Sequence, residues 1–179
     1  MHRPVRDNAS GSSLTCSRQC VRDVLDGFVA AITERDPSRV RLAPGARVTE
    51  NGRDSVFGNG IWQTVGARGT YRIYAIEPDS GSGAVQTVMK DGDQVVQVQV
   101  RLKVGPAGIT EAEILVAREG DTCCWAPQRL DSLGRTYDEP VREGGRRTRE
   151  AMVAAADAYF TNPIIANRIS AMRMLGMVV

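Results

Sequence analysis

The chain has 179 residues, 42% of them hydrophobic and 25% charged, with a net charge of +2 from 23 basic and 21 acidic side chains. That is the composition of one ordinary globular domain, long enough to bury a core without metals or disulfides. The charge is too balanced for an electrostatic nucleic-acid binder, and no apolar run reaches the length of a membrane span.

The first residues, 1–13, are polar and read as a flexible lead-in. They lack the apolar stretch of a signal peptide, so the cytoplasm is the expected compartment, with a trimmed leader left open. Leu14 to Arg35 carries Leu14, Val21, Val24, Leu25, Phe28 and Ile32 at spacings of three, four and seven, the signature of an amphipathic helix. Asp36-Pro37 ends it, because the residue before proline avoids helical geometry. Arg41 to Gly45 reads as a loop, Arg47 to Glu50 as a short strand closed by an Asn51-Gly52 turn, and Ser55 to Val65 as irregular.

Four strand-like runs follow: Thr70 to Glu77, Ala84 to Lys90, Gln94 to Val104 and Ile109 to Arg118. In the third, Val96, Val98, Val100, Leu102 and Val104 alternate with Gln97, Gln99, Arg101 and Lys103. The short connectors make these runs antiparallel neighbours. Residues 119–145 form a long loop, and Arg146 to Phe160 a second helix, continued after Pro163 to Met174. The domain plan is a tail at 1–13, an α+β unit at 14–118, the loop at 119–145, and a helical segment at 146–179 packing on that unit or on a partner subunit. The basic cluster of Arg142, Arg146, Arg147 and Arg149 is interrupted by Glu143 and Glu150 and reads as a solvated helix start.

The only histidine is His2, in the tail. Serine-histidine and cysteine-histidine nucleophilic sites are thereby excluded for the folded domain, and so are histidine-ligated metals. Proton transfer falls to carboxylate, tyrosine, lysine or cysteine. Cys16, Cys20, Cys123 and Cys124 match no CxxC pattern. Adjacent cysteines, or cysteines one helical turn apart, are poorly aimed for a disulfide, so free thiols are expected.

Several motifs in this order resemble the SnoaL-like family of the nuclear transport factor 2-like superfamily. They are Cys16-Ser-Arg-Gln-Cys20, Asp36-Pro-Ser-Arg39, Leu42-Ala-Pro44, Val48-Thr-Glu-Asn-Gly52, Gly58-Asn-Gly-Ile-Trp62, Tyr71-Arg-Ile-Tyr74, Arg101-Leu-Lys-Val104, Ile109-Thr-Glu-Ala-Glu113 and Asp157-Ala-Tyr-Phe160. The match covers about Cys16 to Arg118. The resemblance implies an α+β fold in which a curved antiparallel sheet forms a cone around helices, with a small-molecule pocket and often a homodimer. Relatives in the superfamily include cofactor-independent isomerases, cyclases and hydratases of polyketides, steroids and terpenoids, and lyases of lignin-derived aromatic dimers. The chain departs from the better-known enzymes in having no histidine in the cone.

On that basis the concave face is expected to present Val96, Val98, Val100 and Leu102, with Ala112 and Ile114 from the next strand. Arg101 and Lys103 lie opposite, facing Glu111 and Glu113. Glu50 is the expected base at the mouth, since a carboxylate beside an apolar pocket gains basicity. Asn51 and Tyr71 are the expected hydrogen-bond donors, and Trp62 the ligand platform. Tyr71 shares its face with Ile73 and Ala75 and is favoured over Tyr74, which remains a binding candidate alongside Tyr159. The expected activity is that of a lyase or an isomerase/hydratase on a hydrophobic aromatic or polycyclic molecule, without cofactor, metal, nucleic acid or membrane. The alternative is a non-catalytic small-molecule-binding or dimerisation module.

Overall fold

A computed structural model describes residues 16–121, 126–132 and 141–162. His2, the Cys123–Cys124 pair, the 1–13 tail and the continuation after Pro163 lie outside the described residues. Helix α1 (Arg18–Glu34) buries Val21, Leu25, Phe28, Val29, Ala31 and Ile32, the apolar stripe that the spacing predicts. Its N-cap is Ser17, whose hydroxyl accepts the Cys20 N–H at 3.2 Å. At the other end Arg35 adopts φ 56° and donates its backbone N–H to Ala31 and Ile32. Its guanidinium reaches the carbonyls of Val65 (2.8 Å) and Thr64 (3.1 Å), which ties the helix end to the sheet.

The first correction to the sequence reading lies just before α1. Cys16 and Cys20 are joined in a disulfide. Ser17, at ψ 164°, turns the chain off the helical path, so Cys16 folds back until its Cα lies 5.3 Å from that of Cys20. A regular helix would hold the two side chains in a geometry less suited to bonding.

A short 3-10 turn, Pro37–Arg39, leads into β1 (Leu42–Glu50). Next come β2 (Arg53–Asp54), the one-turn helix α2 (Ile61–Thr64), β3 (Val65–Glu77), β4 (Ser82–Asp91), β5 (Gln94–Gly105) and β6 (Gly108–Ala117). The six strands form one sheet in the order β2-β1-β6-β5-β4-β3. Strands β3 to β6 are an antiparallel meander, as their short connectors predict, but β1 runs parallel to β6, so the sheet is mixed. It is curved and not closed, an α+β fold with α1 across one face. Strand β1 begins earlier than the sequence suggests: Pro44 and Gly45 sit where its register with β6 shifts, between Leu42 and Arg47. A bulge lets both residues stay within a strand, which a regular ladder would not.

The core lies between α1 and the concave face. Val96, Val98, Val100, Leu102, Ala112 and Ile114 are all buried there against the α1 stripe. On the outer face Arg101 bonds Glu111 and Glu113, each at 3.0 Å, and Lys103 lies 3.7 Å from Glu111. These are the cross-strand pairs expected from the alternation.

A second seam joins α1 to the edge strand β3. Arg18 donates to the Ile76 carbonyl at 3.1 Å, Arg22 stacks on the Tyr74 ring at 4.3 Å, and the Tyr74 hydroxyl donates to Asp26. Arg18, Arg22 and Asp26 recur every four residues and form a polar stripe beside the apolar one. Beyond two further 3-10 turns (Pro127–Ser132 and Glu143–Gly145), helix α3 (Arg149–Thr161) is capped by Thr148. Its residues 149–159 are all exposed, and Arg149 pairs with Glu77 of β3. The basic cluster is therefore solvated, as expected.

Candidate functional site

Two hollows lie at opposite ends of β1. The first, of about 300 Å³, is walled by Val24, Gly27 and Phe28 of α1, by Val104, Gly108 and Ile109 at the β5–β6 turn, and by Arg39, Val40 and Arg41 of the connection into β1. Its walls are mostly apolar, with two arginines at the rim. The second, about 750 Å³ and more open, is lined by Glu50, Asn51, Arg53, Asp54, Ser55, Gly60 and Asp121. The nine residues of β1 separate them by roughly 25 Å at ~3.3 Å per residue.

The first hollow exists because of particular residues. Gly27 sits in the middle of α1, and a β-carbon added there would meet nothing within 4 Å. Gly27 is itself exposed, so the hollow opens to solvent along this side of α1. Gly108 has φ +129°, and a β-carbon there would lie 2.6 Å from the Arg41 carbonyl and 3.2 Å from Arg41 Cγ. Only glycine lets the hairpin tip close onto Arg41, whose carbonyl accepts the Ile109 N–H at 3.0 Å. Arg39 is paired with Glu34. The Arg41 guanidinium has no ion pair or hydrogen bond to any described residue.

The residues expected to form the site are dispersed. Val98, Val100, Leu102, Ala112 and Ile114 face the concave side, but α1 fills that space, so they are core rather than pocket floor. Trp62 is 2% exposed and packs edge-on against Phe28 and Phe57, with ring centroids 5.3 and 4.9 Å away. Its Nε1–H has no hydrogen-bond partner among the described residues. It is buried behind Phe28 rather than laid over a mouth. Glu50 accepts the Ile61 backbone N–H at 3.1 Å, capping α2, and a β-carbon on Gly60 would collide with its carboxylate. Asn51, at φ 49°, exchanges hydrogen bonds with the backbone of Val116 (2.8 and 3.4 Å) and extends the β1–β6 pairing.

The two tyrosines of β3 change places. Arg72 bonds the buried Thr87, and Tyr74 meets Asp26, so these residues face the helix. By alternation Ile73 and Tyr71 point to the other side. Burial, together with the hydrogen bond to Asp26, raises the Tyr74 hydroxyl above the ordinary tyrosine pKa. Tyr159, 58% exposed on α3, lines neither hollow.

Sequence reasoning missed Gly27, Arg39 and Arg41. Gly27 was detectable as a glycine interrupting an amphipathic helix where propensity disfavours it. Among the described residues no cluster of histidine, cysteine or carboxylate side chains could hold a metal ion, and no helix is long and apolar enough to cross a membrane.

No protein-family model matches the chain, and no curated protein does. Solved structures are similar to it. A cystatin-like-fold protein of unknown function from Methylobium petroleophilum PM1 has a TM-score of 0.47 at 18% identity, over 57% of this chain and 79% of its own. A de novo designed protein with a curved β-sheet gives 0.47 at 16% identity, over 57% and 89%. An NTF2-like protein from Cytophaga hutchinsonii gives 0.38 at 13%, over 55% and 97%. These are likenesses of fold.

Proposed function

We propose that the chain is a small-molecule-binding module whose ligand occupies the 300 Å³ hollow between α1 and the β5–β6 turn. The observation that carries this reading is the apolar hollow itself, walled by Val24, Phe28, Val104 and Ile109 beside Gly27, an exposed mid-helix glycine that adds no side chain to it. Glycine at such a position costs about 0.5–1 kcal/mol relative to alanine. A cavity of this size is at the lower end of small-ligand pockets. The described walls offer no carboxylate, tyrosine, lysine or cysteine to move a proton, which favours holding over transforming. Gly27→Leu tests it: the added side chain plugs the hollow, and binding of an apolar fluorescent probe is lost while the far-ultraviolet circular dichroism is unchanged. Undiminished probe binding refutes the reading.

A second reading keeps cofactor-independent acid–base chemistry on a hydrophobic aromatic molecule. It is favoured by one observation, that Glu50 and Asn51 share the wall of the larger hollow. That wall is charged rather than apolar, and Trp62 and Tyr71 do not line it. Turnover of any candidate substrate that disappears in Glu50→Gln, with binding retained, would establish this reading over the first.

A further inference from the structure

We infer that the hollow takes a small apolar carboxylate, its hydrocarbon part against Val24, Phe28 and Ile109 and its carboxylate on Arg41; this rests on the ligand-binding reading above. Three features of the rim support it. Both charged residues lining the hollow are arginines, with no acid among the described lining residues. The nearby acids are already engaged, Glu34 with Arg39 and Asp36 with the Ser38 N–H and hydroxyl. The Arg41 guanidinium alone is uncommitted among them.

Arg41 is also held in place. Its carbonyl anchors Ile109, and its stem passes close over Gly108, whose missing β-carbon makes that contact possible. Arg41 lines the apolar hollow, and a guanidinium matches a carboxylate in two parallel hydrogen bonds, which a lysine ammonium would not do. A cationic ligand would meet like charge there, and a neutral one would leave the fork unused.

The test compares two probes of one ring system: 1-anilinonaphthalene-8-sulfonate, which is anionic, and N-phenyl-1-naphthylamine, which is neutral. Each is titrated into the full chain by fluorescence, with displacement by 1-naphthoate as the carboxylate arm. Three proteins are used: the parent, Arg41→Gln and Gly27→Leu. The expected result is that Arg41→Gln weakens the anion and 1-naphthoate about tenfold and leaves the neutral probe within about twofold, while Gly27→Leu weakens every ligand. Arg39→Gln, already shared with Glu34, has the smaller effect. If Arg41→Gln leaves the anion unchanged while Gly27→Leu weakens both probes, the charge assignment is overturned and the hollow stands. If Gly27→Leu changes neither probe, or the parent binds neither, both readings fall.

Discussion

A helix-interior glycine gives up more backbone freedom on folding than any other residue, and the space beside Gly27 accepts a methyl group. Gly27→Ala should therefore stabilise the protein by ~0.5–1 kcal/mol, read as a higher denaturant midpoint with an unchanged slope. Tyr74 offers a second test. Its folded pKa is raised, first by burial and then by Asp26, so the protonated hydroxyl is favoured by the native state. The stability it contributes is complete below the ordinary tyrosine pKa and is lost as pH climbs through the higher folded value. Tyr74→Phe should cost about 1 kcal/mol near neutrality, and the gap between parent and variant should close in strongly alkaline solution. The disulfide is checked without any variant. Trypsin cuts after Arg18, between the two cysteines, so the fragments carrying Cys16 and Cys20 should stay linked until a reductant is added.

At the scale of elements, legibility followed periodicity. Helix α1 and strands β5 and β6 were readable because one face of each is buried and the other is not, and the chain spells that alternation out. Strand β1 was read too short because Pro44 and Gly45 ordinarily end a strand, and the bulge that admits them is made by β6, distant in sequence. Strand β3 misled in a different way. Its helix-facing side carries Arg72 and Tyr74, because α1 opposes them with its own polar stripe of Arg18, Arg22 and Asp26. The rule that the apolar side faces inward therefore chose Tyr71 over Tyr74. The valine row was placed on the correct face, yet sequence patterning cannot tell a cavity floor from a helix bed. Leu25 shows which it is: fully buried on α1 against that bed, its replacement by alanine should cost ~2–5 kcal/mol by urea unfolding.

Across the whole molecule, the hollow and the described core belong to residues 16–121, the Pro127–Ser132 turn packs on β3, β4 and β5, and α3 contributes an exposed face with Met152 58% and Val153 51% exposed. Replacing both by polar residues should leave the unfolding midpoint within ~0.5 kcal/mol equivalent, since neither is part of the core. The two lateral margins of the sheet are unequal. One ends in β2, only two residues long, whereas the other is β3, thirteen residues with no strand beyond it among the described residues. A margin that long is a template on which a stray extended peptide can be stitched, the first step toward fibrillar association. Its register shift between Arg68 and Arg72 interrupts the ladder midway, which makes the margin a poorer template for a second extended chain. An uneven ladder along the open side is thus a built-in discouragement to strand-by-strand stacking.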